Sequence, residues 1–293
     1  MKSGFVSIVG RPNVGKSTLI NALVKEKIAI TSEKVQTTRN NIQGIYSDDN
    51  TQIIFIDTPG IHKPINKLGK LLNRKAHSGF YDVDVILFVV DASENIGSGD
   101  RYIIDSLTHQ DIPTILILNK IDLISKEMIL LKIEEYKDLY NFAEIIPTSA
   151  LENDNVEYLI KILKKYLTDD VKYFDLNLKT SNSKNFMISE FVREKILRCT
   201  DEEVPHSVTC ITTKYEEKKD IINIGVDIIV DRDSLKGIII GKNGDKIKQI
   251  GALARIDIEK MLGKQIYLEL FVKTILHWRD KEKILQDLGL KDE

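Results

Sequence analysis

The residues with the clearest chemistry are Gly10-Arg11-Pro12-Asn13-Val14-Gly15-Lys16-Ser17, with Thr18 directly after. The spacing Gly-x4-Gly-Lys-Ser is that of a phosphate-binding loop. An apolar run, Phe5 to Val9, precedes it, and an amphipathic stretch, Thr18 to Val24, follows. That order reads as buried strand, loop and helix. Loop amides and the free N–H groups opening the helix converge there, and the helix dipole adds to their pull on a polyphosphate. Lys16 supplies a positive charge between the β- and γ-phosphates, and the Ser17 hydroxyl is a ligand for Mg²⁺.

A second group follows in chain order. Gln52-Ile53-Ile54-Phe55-Ile56 reads as a strand ending in Asp57-Thr58-Pro59-Gly60. An acid at the carboxyl end of a strand is placed to hold Mg²⁺ through water. The Gly60 N–H can meet a γ-phosphate and move when that phosphate leaves. Upstream, the polar stretch 25–39 contains Thr37 and Thr38. It reads equally as a surface loop or as a switch whose threonine reaches Mg²⁺. The apolar run Thr114 to Leu118 ends in Asn119-Lys120-Ile121-Asp122. A carboxylate accepts from both N1–H and the 2-amino group of guanine, and adenine offers no such pair. Asp122 is therefore expected to select guanine, with the Lys120 stem covering the base and Asn119 bracing the loops. Ser149-Ala150 would offer a backbone N–H to the guanine carbonyl.

Elements must carry these groups. Strands are expected at 5–9, 41–47, 52–56, 85–90, 114–118 and near 145–146. Asp48-Asp49-Asn50 turns the second into the third. Helices are expected at about 18–24, 66–80, 98–109, 126–139 and 155–167. This alternation implies an α/β fold, a doubly wound and mostly parallel sheet with one antiparallel edge strand. Every proposed site motif then falls at the carboxyl end of a strand.

A GTP-binding domain over 1–170 and a linker over 171–184, where the apolar period lapses, leave 185–293 as a second domain. Its expected order is helix 185–199, strands 207–215 and 221–230, helix 234–240, Gly241-Lys242-Asn243-Gly244, helix 245–261, strand 265–271 and a last helix 274–286. That is one of the two arrangements of the K-homology (KH) domain, an α+β fold whose Gly-x-x-Gly loop clamps the backbone of unpaired nucleotides. Lys236, Lys242, Lys246 and Lys248 gather around the loop, with Asp245 opposing them. Residues 181–293 hold 20 basic and 20 acidic side chains, so any nucleic-acid patch is local. A DNA-reading helix-turn-helix fits less well, because its turn does not call for two glycines with lysines between them.

Bulk properties set limits. The 293 residues suffice for two domains, and 42% hydrophobic with 29% charged residues describes a globular chain. The net charge of -2 gives no global hint of nucleic acid. Two cysteines, Cys199 and Cys210, lack a metal-ligand spacing and fit a reducing compartment. No apolar run approaches a membrane span, and no secretory leader is expected ahead of Phe5.

Taken together, the two halves resemble the Era-type bacterial GTPases with a carboxyl-terminal KH domain. The motifs that carry the resemblance are Gly10 to Thr18, Gln36-Thr37-Thr38-Arg39, Asp57 to Gly60, Asn119 to Asp122, Ser149-Ala150 and Gly241 to Gly244. It implies a P-loop GTPase followed by a type II KH domain, a cytosolic protein cycling between GTP and GDP. Such a protein binds the unpaired 3′ end of 16S rRNA and assists small-subunit assembly. It also implies Thr38 as the switch threonine, which with Ser17 and Asp57 would hold Mg²⁺. Some members associate peripherally with the membrane. Related GTPases with asparagine at the position of Asn13 can bind K⁺ beside the phosphates. Ile61 stands where many small GTPases carry a water-positioning glutamine, so slow turnover is expected, with Lys16, Thr38 and Gly60 as the catalytic groups. A monomer is expected. Two alternatives stay open: a P-loop kinase or ATPase, against which Asp122 speaks, and a GTPase whose second domain binds protein or membrane partners.

Overall fold

The computed structural model describes residues 1–32, 34, 42–57, 83–200 and 204–288. Thr37, Thr38, Arg39, Thr58, Pro59, Gly60, Ile61 and the helix expected over 66–80 lie outside these residues. The chain forms two compact units. Residues up to Ser181, two short stretches apart, form the first, and Asn182 onward belong to the second.

In the first unit, β1 (Lys2–Val9), β2 (Ile42–Ser47), β3 (Thr51–Asp57), β4 (Val85–Asp91), β5 (Thr114–Asn119) and β6 (Glu144–Thr148) form one sheet in the order β2-β3-β1-β4-β5-β6. All pairs are parallel except β2 with β3. Helices α1 (Lys16–Val24), α2 (Ser98–Leu107), α3 (Lys126–Lys137) and α4 (Val156–Leu163) alternate with the strands. The central strands β4 and β5 are buried at every position, as continuous apolar runs between two helical layers must be. Register brings Asp57 opposite Ile8, Asp91 opposite Asn119, and Asn119 opposite Thr148. The carboxyl ends of five strands therefore share one edge of the sheet.

Helix α4 ends earlier than the expected 155–167. The chain turns so that Ser3 and Asp169 exchange backbone hydrogen bonds at 2.9 and 3.2 Å. The stretch 171–181 then runs beside β2 and β3. The buried Gln52 side chain accepts from the N–H groups of Tyr173 and Phe174, both at 2.9 Å, and donates to the Phe174 carbonyl. The Ile45 N–H donates to the Lys179 carbonyl at 2.8 Å, covering part of the exposed edge of β2.

The second unit contains α5 (Lys184–Cys199), α6 (Val204–Ser207), β7 (Val208–Glu217), β8 (Ile222–Val230), α7 (Asp233–Ile240), α8 (Asp245–Leu262), β9 (Ile266–Thr274) and α9 (Glu282–Asp287). The sheet order is β7-β8-β9, with β8 antiparallel to β7 and parallel to β9. Ile224, Val226 and Ile228 of β8 are fully buried. The expected last helix over 274–286 forms only in its final part. Pairing of Thr274 with Val230 keeps 274 in the ladder, and the Ile275 N–H bonds the Val230 carbonyl at 2.9 Å. His277 then takes a left-handed φ of 52°, and the buried Trp278 ring donates to the Ser207 carbonyl at 2.9 Å.

Candidate functional site

The phosphate loop is shaped by close contacts at its two glycines and by left-handed backbone. A Cβ at Gly10 would lie 2.3 Å from the Val89 carbonyl oxygen, so only glycine lets the loop leave β1 here. Asn13 and Gly15 take left-handed φ values of 66° and 96°. A Cβ at Gly15 would lie 2.2 Å from Asn119 Nδ2. Pro12 and Thr18 are half-buried, Val14 buried. The Lys16 ammonium donates to the Gly10 and Arg11 carbonyls at 3.0 and 2.8 Å. Burial lowers its pKa to about 8, and the Asp57 charge offsets part of that shift. A buried ammonium held, among the described residues, by two neutral carbonyls near one carboxylate is suited to anionic oxygens.

The Ser17 hydroxyl donates to Asp57 Oδ2 at 3.0 Å. Asp57 is fully buried at the end of β3. Two hard oxygens at this spacing, beside a phosphate loop, fit the ligand preference of Mg²⁺.

The base end is built around Asn119, 2% exposed. Its Nδ2 donates to the Val14 carbonyl at 2.8 Å, and its Oδ1 accepts from the Ala150 N–H at 3.0 Å. One side chain thus joins the phosphate loop, β5 and the loop after β6. Lys120 takes a left-handed φ of 64°, and a short 3₁₀ turn, Ile121–Leu123, follows. Asp122 is exposed, and its Oδ1 accepts from Ser149 Oγ at 2.5 Å. All the predicted nucleotide groups among the described residues therefore meet at one edge of the sheet.

In the second unit, Gly241, Lys242, Asn243 and Gly244 form the turn between α7 and α8. Gly241 and Gly244 have φ values of 74° and 79°, and Asn243 is left-handed at 53°. A Cβ at Gly241 would lie 2.7 Å from the Lys246 Cβ, so the first glycine is needed for the close turn. Lys242 and Lys248 are exposed, and Lys236 and Lys246 half-buried. Helix α8 packs on β9, where a Cβ at Gly251 would touch Leu270 at 3.5 Å.

Three features were not expected from the sequence. Asp91, 5% exposed, receives the Lys120 ammonium at 2.5 Å and accepts from the Ser93 N–H and hydroxyl at 3.0 and 2.6 Å. Ser149 contributes its hydroxyl to Asp122, where only a backbone N–H was foreseen. The Arg11 side chain binds Asp100 and Glu94. An acid closing the otherwise apolar β4 is the one signal that could have pointed to Asp91.

Residues 5–120 match the family described as 50S ribosome-binding GTPase, and residues 203–279 match the KH domain. Among solved structures, a point variant of Aquifex aeolicus Era bound to GDP·AlF4⁻ is 38% identical, with a TM-score of 0.96 and complete coverage of both chains. Era in complex with MgGDPNP and nucleotides 1506–1542 of 16S ribosomal RNA is also 38% identical, with a TM-score of 0.95 and complete coverage of both chains. The same pairing of a GTPase sheet with a KH turn thus recurs over the full length, and the chain belongs to the Era family of GTPases.

Proposed function

We propose that this chain is a GTP-hydrolysing switch that binds the 3′ end of 16S rRNA through its KH unit and acts in assembly of the small ribosomal subunit. The observation that carries the nucleotide half is the Asn119 brace, which locks the phosphate loop to the guanine-reading loops at one sheet edge. In this reading Lys16 and the loop amides of Gly10 to Thr18 hold the β- and γ-phosphates. Asp122 and the Ala150 N–H read guanine, and Ser17 with Asp57 hold Mg²⁺. The metal, when bound, neutralises charge on the phosphate oxygens. Thr38 and Gly60 are proposed to respond to the γ-phosphate, and Ile61 supplies no base, so intrinsic turnover is slow.

The ribosomal half rests on the full-length likeness to an Era bound to 16S rRNA nucleotides and on the exposed Lys242 and Lys248 at the glycine turn. Asn13, left-handed and exposed in the phosphate loop, is the residue through which K⁺ would act. The proposed setting is cytoplasmic and the proposed state monomeric. Any membrane contact is peripheral in this reading: among the described residues, no helix is long and apolar enough to cross a bilayer.

Competition between GTP and XTP tests the base assignment. Asp122→Asn should shift preference towards xanthine, because the amide then faces a carbonyl where guanine has its amino group. Unchanged preference for GTP would remove Asp122 from base recognition.

A further inference from the structure

We propose that Arg11 is a positioning residue: an acidic anchor, Glu94 on the β4–α2 connection and Asp100 in the first turn of α2, holds its side chain and thereby sets the phosphate loop for the β-phosphate. The inference rests on the guanine-nucleotide reading above.

The side chain of Arg11 is held at two points. Its Nε donates to Asp100 Oδ1 at 2.8 Å, and its Nη2 donates to Glu94 Oε2 at 2.7 Å. Asp100 has no exposed surface, and its other oxygen accepts from the Gly97 N–H at 2.8 Å. The carboxylate is therefore committed on both sides, one to the start of α2 and one to Arg11. Space for the arginine stem is also provided. A Cβ at Gly99 would lie 2.7 Å from Arg11 Cδ and 3.0 Å from Cγ.

The consequence reaches the phosphate loop through the backbone of the same residue. The Arg11 carbonyl is one of the two acceptors of the Lys16 ammonium, at 2.8 Å. The Gly10 carbonyl is the other, at 3.0 Å, and Gly10 is confined by Val89. Fixing the guanidinium fixes the peptide that carries this carbonyl, and with it the Lys16 ammonium. A buried carboxylate with a fork-shaped cation is a rigid anchor, because both partners lose more by separating than an exposed pair does.

Positioning of the phosphate loop acts mainly on the β-phosphate, which the loop amides and the lysine surround. GMP lacks that phosphate and GDP has it. Glu94→Gln with Asp100→Asn leaves Arg11 intact and removes its anchor. An asparagine keeps one acceptor oxygen where the carboxylate uses both. In the full-length protein, GDP affinity should fall by at least about tenfold and GMP affinity by less than about threefold. Arg11→Met should give the same pattern. If Arg11 instead touched phosphate directly, freeing it from its acids would leave GDP affinity unchanged or raise it, and the proposal would be overturned. Equal weakening of GDP and GMP would also overturn it, since that is the result of general loosening. Melting of each variant without nucleotide checks the fold. If the double variant melts early, Arg11→Met with Glu94→Gln and Asp100→Asn leaves no buried charge unpaired and is read by the same GDP-to-GMP ratio. A wild-type chain that failed to bind GDP would overturn the nucleotide reading itself, an outcome separate from any change in that ratio.

Discussion

Lys120 Nζ lies 2.5 Å from Asp91 Oδ2, and the residue opposite Asp91 in the β4–β5 ladder is Asn119. Burial pushes the Asp91 carboxyl upward, but its bonds to Lys120 and Ser93 outweigh that and hold it below the ordinary carboxylate value. The ammonium is thus fixed to a residue of the sheet, which leaves the four-carbon stem for the base-covering role proposed for it. Lysine lends itself to this division, with an apolar stem and a charged tip.

From this pair follows the first prediction. Asp91→Asn should speed GDP release by about tenfold, equivalent to about 1.4 kcal/mol, by freeing the stem. Stopped-flow displacement of a fluorescent GDP measures it. In a Lys120→Met background the same change should have little further effect, because the two residues act through one contact. A full tenfold effect in both backgrounds would disconnect Asp91 from Lys120.

The second prediction concerns pH. The pKa of Lys16 is lowered to about 8 by burial, and the phosphates of GDP favour the charged form. The free site is therefore protonated at neutral pH and loses its charge above about pH 8, whereas the complex keeps it. GDP affinity should be flat near neutrality and fall by up to about tenfold per pH unit above about pH 8.5. Titration calorimetry in two buffers of different ionisation enthalpy should show uptake of close to one proton at about pH 9 and much less at about pH 6.5. Equal proton uptake at both values would place the titrating group elsewhere.

Much of the nucleotide edge is legible in the sequence because each group follows an apolar run. Asp57, Asn119 and Ser149 stand at or just beyond the ends of β3, β5 and β6, so locating the strands locates the groups. The Arg11–Asp100 pair is not legible, since 89 residues separate the partners and both types are common on surfaces. The same holds for the segment 171–181. Its residues have no period because it is held by scattered polar bonds, from its backbone to Gln52 and from Thr180 and Ser181 to Gln43, rather than by one apolar face. The end of β9 shows a third case. Residues 274–286 resemble a helix locally, and pairing with Val230 overrides that preference at Thr274.

The third prediction tests the core of the KH unit. Arg193 is fully buried and makes a two-pronged contact with Glu190, Nε to Oε1 at 2.8 Å and Nη2 to Oε2 at 2.6 Å. Arg193→Met leaves the Glu190 carboxylate buried without this cation. It should cost about 3–5 kcal/mol in urea unfolding followed through Trp278, which lies in this unit. Combining it with Glu190→Leu should recover most of the loss, because two apolar groups of similar volume then replace the pair. A small loss in the single variant would show that the pair is open to water in solution.

The last prediction separates the two units. Lys242 and Asn243 sit between Gly241 and Gly244 with exposed side chains, and the backbone of the turn is set by the glycines and by Asn243. Lys242→Asp with Asn243→Asp places two negative charges where an RNA backbone is proposed to lie. Aspartate tolerates the left-handed conformation that Asn243 adopts, so the turn is expected to survive. Exposed changes of this kind usually alter stability by less than about 0.5 kcal/mol. Affinity for a single-stranded RNA of the 16S 3′-end sequence should fall at least about tenfold at moderate salt, and the salt slope of the wild type should largely disappear. GDP affinity should not change, because the phosphate loop belongs to the other unit. Filter binding over a salt series, with GDP binding measured on the same preparations, decides the matter. Wild-type RNA affinity with an unchanged salt slope would take the RNA away from the glycine turn and leave the KH unit better read as a protein-binding module.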